Sequence, residues 1–109
     1  MPKQTDQGPL TEGVYYILLA LHTPMHGYGI MQFVKNISNN RVNLGPGTLY
    51  GAINNMLEKG WIQALETVGD SRKKEYVITD LGREITEIEL ERLLELVYNG
   101  QYTLRGEGK

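Results

Sequence analysis

Three consecutive cations, Arg72-Lys73-Lys74, come directly after the turn-forming run Gly69-Asp70-Ser71 and make the densest basic cluster in the chain. Lys and Arg gathered in this way hold phosphate oxygens, which positions a protein on a nucleic acid without reading its sequence. The same triplet on an edge strand also protects that edge from aggregation. Reading bases calls for neutral hydrogen-bonding side chains, and Thr48, Asn54 and Asn55 supply them in one segment. An Asn amide both donates to and accepts from adenine in the major groove. Asn54 and Asn55 fit a solvated helix face equally well.

Other chemistries find little support. His22 and His26 have the spacing of helical metal ligands, but Pro24 between them breaks a helix. Cysteine is absent and no third ligand is evident, so no metal is expected. His22 reads instead as a cation at a helix C-terminus and His26 as a loop contact. Gly45-Pro46-Gly47 approaches a dinucleotide-binding fingerprint, yet Tyr50 stands where its third glycine belongs, and no parallel sheet comes after it. The two serines, Ser38 and Ser71, lie in no nucleophile-elbow motif. The expectation is a binding protein without cofactor, not an enzyme.

The elements that must position these residues can be read from apolar spacing. Val14, Ile17, Leu18 and Leu21 recur at three and four residues, giving a first helix that Thr23-Pro24 stops. A second helix runs from about Gly27 to Ile37 and ends at Ser38-Asn39-Asn40. Residues 41–44 suit a small strand. Pro46 sits where a third helix begins, with Leu49, Ile53, Met56 and Leu57 on one face and Gly60 as its stop. Thr48, Gly51, Asn54, Asn55 and Glu58 are then turned outward. Trp61–Val68 and Arg72–Thr79 read as a hairpin, with Tyr76 and Ile78 on one side and Glu75 and Val77 on the other. Thr79 or Asp80 caps a fourth helix that is expected to end at Asn99-Gly100.

Helix 4 carries two apolar stripes: Leu81, Ile85 and Ile88, then Leu90, Leu93, Leu94 and Val97. Their combined arc is wider than one packing partner needs, so Leu90, Leu93, Leu94 and Val97 are assigned to a homodimer interface. A chain of 109 residues is one small domain for which association helps. Its net charge of −2 argues against a broad basic field, but residues 1–79 balance at +1 and residues 80–109 at −3. The longest apolar run, Val14–Leu21, falls short of the ~18 residues a membrane span needs. With no secretory pattern at the N-terminus, a cytoplasmic protein is expected.

Three helices and then a two-stranded hairpin is the order of a winged helix-turn-helix, in which the third helix enters the major groove and the hairpin meets the DNA backbone or minor groove. Four segments strengthen this. Pro24-Met25-His26-Gly27-Tyr28-Gly29-Ile30 after the apolar run 17–21, Gly47-Thr48-Leu49-Tyr50 leading to Gly60-Trp61-Ile62, Arg72-Lys73-Lys74-Glu75-Tyr76, and Ile78-Thr79-Asp80-Leu81-Gly82 together resemble the PadR-like family of bacterial transcriptional regulators. That resemblance implies a mainly α fold with a small β-hairpin, a winged helix-turn-helix followed by a C-terminal dimerisation helix. The corresponding boundaries are a flexible arm (1–9), the DNA-binding domain (10–79), the dimerisation helix (80–99) and a flexible tail (100–109).

It also implies a homodimeric repressor of operator DNA, relieved by a small aromatic or phenolic effector. Carried over by position, Thr48 and Tyr50 would meet DNA from the recognition helix and Lys73 and Lys74 from the wing. Tyr28 would touch the DNA backbone or pack. Asn54, Asn55 and Lys59, the first cation of helix 3, complete the candidate recognition-helix set, and Arg72 the wing. Helix 3 departs from the family where Gly51, Asn54 and Asn55 replace a proline and a cation. Tyr15 and Tyr16 on helix 1 are candidates for an effector site. The competing expectation is a winged-helix protein–protein adaptor that does not bind DNA sequence-specifically.

Overall fold

The first helix, α1 (Glu12–Ala20), starts where Thr11 adopts extended backbone and its hydroxyl accepts the Val14 N–H at 3.2 Å. That contact satisfies one of the donors a helix start leaves unpaired. This computed structural model describes residues 8–66 and 74–106. After α1 come strand β1 (Met25–His26), helices α2 (Gly27–Ile37) and α3 (Pro46–Glu58), strands β2 (Ile62–Leu65) and β3 (Glu75–Ile78), and helix α4 (Asp80–Arg105). Ile17, Leu18, Leu21, Ile30, Val34, Leu49, Ile53 and Met56 are fully buried between the first three helices, matching the apolar faces read from the sequence.

The hairpin is part of a three-stranded antiparallel sheet in the order β1-β3-β2. Met25 lies opposite Tyr76 and His26 opposite Glu75, while Ile62 lies opposite Ile78. Two residues after Pro24 are too few for alternation to reveal β1. Proline does fix the extended backbone there, and β3 offers the free edge. Residues 41–44 form no strand. Asn39 and Asn40 both take left-handed backbone, with φ of 54° and 66°, and turn the chain after α2. The buried Ser38 hydroxyl then accepts the Val42 N–H at 2.9 Å, replacing a strand partner. Among the described residues, β2 stops at Leu65 and β3 starts at Glu75. Thr67, Val68 and the 69–71 turn lie outside them, as do Arg72 and Lys73.

The sheet is fastened to α4 at one point. The Thr79 hydroxyl donates toward the Gly60 and Trp61 carbonyls at 2.6 and 3.0 Å and accepts the Gly82 N–H at 3.1 Å, while the Thr79 N–H bonds the Trp61 carbonyl at 2.9 Å. Gly82 sits so close to Trp61 that any Cβ would fall on the Trp61 carbonyl and on Ile78 Cγ1. One turn on, the Thr86 hydroxyl donates to the Gly82 carbonyl at 2.7 Å.

α4 is longer than the sequence suggested. It runs through Asn99-Gly100 to Arg105 and ends at Gly106, whose left-handed backbone (φ 72°) closes it. Glycine inside a helix costs only about 1 kcal/mol relative to alanine. The Tyr98 and Tyr102 rings stack across that position at 6.3 Å, an i,i+4 pair that supports the turn. α4 therefore continues to residue 105, past the end at residue 99 read from the sequence. Residues 107–109 lie outside the described ones.

Glu89 departs from the sequence reading too. It belongs to the acidic set of helix 4, yet it is only 4% exposed. Arg92 grips it with Nε and Nη2 at 2.9 and 2.7 Å, and the Leu10 N–H donates to Oε2 at 3.4 Å. Residues 8–10 thus form a strap against α4, with Leu10 packed on the core. Residues 1–7 of the expected arm lie outside the described residues. The Arg92 guanidinium holds the Glu89 carboxyl below its ordinary range, against the opposing effect of burial.

Gly82→Ala is expected to cost about 3 kcal/mol, because the group in the way is backbone and cannot rotate aside; urea titration of both proteins measures this. For Glu89, a lowered folded-state pKa means that its stabilisation is complete above the unfolded value of about 4.3 and is lost as pH falls through the folded value. Glu89→Gln should lower stability by about 1–2 kcal/mol at neutral pH and flatten the acid limb. The gap between the denaturant midpoints of the two proteins should be full at pH 7 and narrow as the pH is lowered below about 4.3.

Candidate nucleic-acid interface

The recognition candidate α3 is built by its N-terminal residues. Gly45 precedes the helix in extended backbone and Pro46 occupies its first turn, where the missing N–H costs nothing. Leu49, Ile53 and Met56 anchor one face in the core. Asn54 then lies about 140° around the helix from Leu49, and Asn55 about 120° the other way. Thr48, Gly51, Asn54, Asn55, Glu58 and Lys59 are all exposed. The outer face is neutral and hydrogen-bonding except for Glu58 and Lys59 at its end.

Tyr50 is divided between surface and scaffold. It is 42% exposed, yet its hydroxyl fills the space a Cβ would occupy at Gly27, the first residue of α2. Tyr76 lies close behind: its own burial, and then Tyr50, raise its phenol above the ordinary range. Tyr50 therefore pins α3 to the start of α2 and to β3. In the sequence Gly27 reads only as a helix start; the tyrosine seated over it is a contact that no local pattern announces. Tyr28, the next residue, is exposed, and its hydroxyl accepts from Gln32 Nε2 at 3.2 Å.

Asn55 and Lys59 share a second environment. Both line a cleft with the strap, on the flank of α3 away from Tyr50 and Asn54. The Lys59 ammonium lies 4.9 Å from the centre of the Trp61 ring, a cation–π contact. The structure thus separates the two asparagines that adjacent numbering places together. On the wing, Lys74 is exposed immediately before β3; Arg72 and Lys73 are outside the described residues.

The dimer candidates divide by burial. Leu93 is half-buried, whereas Leu90, Leu94 and Val97 are exposed in the single chain. Leu96, Tyr98, Tyr102 and Leu104 extend this apolar surface along α4 beyond the set expected from the sequence. Tyr15 and Tyr16 are half-buried with ring centres 6.2 Å apart, but they face different neighbours. Burial, then Glu89 and Glu87 of α4, raise the Tyr15 phenol. Tyr16 lies beside the Glu12–Arg41 ion pair. Among the described residues, no three His, Asp or Glu side chains converge as metal ligands, and no helix is long and apolar enough to cross a membrane.

Comparison with known proteins agrees with this architecture. The profile of the transcriptional regulator PadR-like family matches residues 16–88. A 37.1 kDa protein of transposon TN4556 from Streptomyces fradiae is 37% identical over 73 residues; the match covers 67% of this chain but only 20% of that protein. Among solved structures, smu.1704 from Streptococcus mutans superposes with a TM-score of 0.71 at 20% identity, covering 91% of this chain and 93% of that one. A PadR family regulator from Clostridium difficile gives 0.62 at 24% identity, covering 83% and 97%. Bacillus subtilis PadR, solved in complex with operator DNA, gives 0.62 at 24% identity, covering 71% and 45%. The winged helix, its small sheet and the long terminal helix are shared in fold. With its profile match extending from α1 into α4, the chain belongs to the PadR-like family of transcriptional regulators.

Proposed function

We propose that this chain is a homodimeric, sequence-specific repressor whose recognition helix reads bases and whose wing holds phosphates. The observation that carries this reading is the pairing of surfaces on either side of the core. The outer face of α3 presents neutral hydrogen-bonding groups, Thr48 and Asn54, and the wing presents the exposed Lys74. On α4, Leu90, Leu94 and Val97 lie in solvent at a spacing that puts them on one side of the helix, an exposed apolar stripe of the kind that marks an interaction site. A two-fold pairing of α4 would bury that surface and present two α3 helices to successive major grooves, about 34–36 Å apart on a palindromic site. Tyr50 serves in this reading as a half-exposed contact braced against Gly27, and Tyr28 as a backbone contact. Arg72 and Lys73 extend the basic run of Lys74. Asn55 and Lys59 reach DNA only at the margin.

Release by a small aromatic molecule belongs to the same reading. Tyr15, half-buried and turned toward α4, is the group through which such a guest would be felt at the dimer seam. Tyr16, beside Glu12 and Arg41, would act only indirectly.

The test is a titration of wild type, Lys74→Ala and Asn54→Ala against matched and scrambled operator at several salt concentrations, with sedimentation of the same samples. Each phosphate contact contributes about 0.9 to the log–log salt slope. Lys74→Ala in a dimer should therefore lower the slope by up to about two units and weaken all sequences alike. Asn54→Ala should leave the slope unchanged and reduce discrimination by about 1–3 kcal/mol for each lost base contact. A monomer at micromolar concentration would remove the dimer. Failure to distinguish matched from scrambled DNA at any salt concentration would leave the adaptor.

A further inference from the structure

Asn99 is the one asparagine of the chain that has glycine as its next residue. The other asparagines precede Ile37, Asn40, Arg41, Leu44, Asn55 and Met56, whose side chains crowd the peptide nitrogen between them. Gly100 has no side chain to do so. Asn99 is exposed and Gly100 half-buried, and a Cβ built on Gly100 would meet no packed neighbour within 4 Å. Its backbone is helical and not left-handed. Neither packing nor conformation therefore calls for glycine at this position, where it weakens the helix relative to alanine.

We propose that Asn99-Gly100 is a latent self-modification site, a deamidation site that α4 holds closed through its helical hydrogen bonds and the Tyr98–Tyr102 stack. The only co-reactant is water. The Gly100 backbone nitrogen attacks the carbonyl carbon of the Asn99 side chain. A new N–C bond forms, the bond to the side-chain nitrogen breaks, and ammonia leaves with the proton of the Gly100 N–H. Water then opens the resulting five-membered succinimide at either carbonyl, giving aspartate or isoaspartate with no oxidation or reduction. The closed helix blocks the attack twice. The Gly100 N–H is committed to the carbonyl four residues earlier, that of Leu96. Helical ψ at Asn99, about −42°, also keeps the nitrogen out of line with the side-chain carbonyl. Reaction therefore requires the turn at residues 98–102 to unwind. Tertiary packing does little to prevent this, since the buried positions of α4 end at Glu89. The contact that spans the turn is the Tyr98–Tyr102 pair, with ring centres 6.3 Å apart and planes 11° from parallel. The reactive pair lies between those two rings in the chain.

Conversion would shorten α4. Isoaspartate carries the chain through an extra methylene, so the helical ladder cannot continue across it. Either product places a carboxylate in the C-terminal part of a helix whose dipole disfavours negative charge there. Tyr102 and Leu104, exposed beyond this point, would lose their fixed placement relative to Leu90, Leu94 and Val97. The change runs one way, so it accumulates in each copy at a rate set by how often the turn opens. None of this depends on DNA or on a second copy. A partner laid over α4 would make openings rarer and leave the chemistry the same.

Arg92 and Arg105 bracket the site, so trypsin releases residues 93–105 as a peptide whose one asparagine is Asn99. The full chain is incubated at 37 °C and pH 8, and conversion is followed as a one-dalton rise in that peptide, placed at Asn99 by fragmentation. A synthetic peptide of residues 93–105 gives the rate without the folded turn. The intact chain should convert at least tenfold more slowly than the peptide, yet measurably within a hundred peptide half-lives. That slowing should match, within about threefold, the hydrogen-exchange protection of the Gly100 amide, because both need the same opening. Tyr102→Ser, matched to tyrosine in helix propensity, should convert at least twofold faster than wild type. Gly100→Ala, whose methyl group meets no packed neighbour, should convert at least tenfold more slowly. In converted protein, amide protection should be lost from residue 99 onward. The exchange comparison uses wild type alone and stands whether or not the variants fold. The proposal is overturned by equal rates in chain and peptide, by no conversion of the chain over a hundred peptide half-lives, or by a slowing outside that match to Gly100 protection. Wild-type rates in Tyr102→Ser or Gly100→Ala, or protection retained through Arg105 after conversion, overturn it equally.

Discussion

The packing of Gly82 on the Trp61 carbonyl is the contact on which the rest of the architecture depends. At that point the end of α3, the start of β2, the end of β3 and the first turn of α4 all meet. A methyl group there would push α4 off the sheet, because its obstacle is a carbonyl already holding two hydrogen bonds from Thr79. Thr79 does three things from one hydroxyl and one N–H: it ends the strand, caps the helix and ties both to the turn after α3. The direction of α4, and with it the separation of any two recognition helices in a dimer, is set by this joint.

A second tie acts on the other side of α4. The Glu89–Arg92 pair satisfies a carboxylate that is otherwise removed from water, and it gives the Leu10 N–H an acceptor. Because Arg92 remains partly exposed, the pair is a modest contributor to stability. Its geometry matters more, since it lays residues 8–10 between α4 and α3. The Gly82 joint fixes α4 to the sheet and the strap fixes it to the helices.

How far the fold was legible in the sequence depends on where its information lies. Helices α1 to α3 bury faces of period 3.6, and Leu49, Ile53 and Met56 could be assigned from spacing. The alternation of Tyr76 and Ile78 likewise gave the inward face of β3. Strand β1 was hidden because two residues have no period and its partner is about fifty residues away. The end of α4 was misplaced because Asn99-Gly100 has the composition of a stop, while the Tyr98–Tyr102 stack and the Gly106 cap act over longer range. Glu89 read as surface because charge normally is; only the tertiary arrival of Leu10 and the aim of Arg92 explain its burial. For the candidate interface, the exposure of Thr48, Asn54 and Lys74 was legible, but the bracing of Tyr50 over Gly27 and the turning of Asn55 toward the strap were not.

The length of α4 bears directly on assembly. Twenty-six residues at about 1.5 Å each make a rod of about 39 Å, and its buried positions end at Glu89. The stretch from Leu90 to Arg105 is more than half the helix, with Leu94, Leu96, Val97 and Tyr98 in solvent and Leu104 82% exposed. A helical segment of that length is marginal in water on propensity alone, and Gly100 lowers it further. Its exposed apolar residues offer the missing stabilisation only if something covers them. Among the described residues, the strap and α1 lie against the first half of α4 and leave this stretch exposed, which is the surface the proposed homodimer would use. In the proposed dimer, a second α4 laid across the first would meet that need with the chain's own chemistry, and the fixed Gly82 joint would convert one interface into a defined spacing between the two α3 helices.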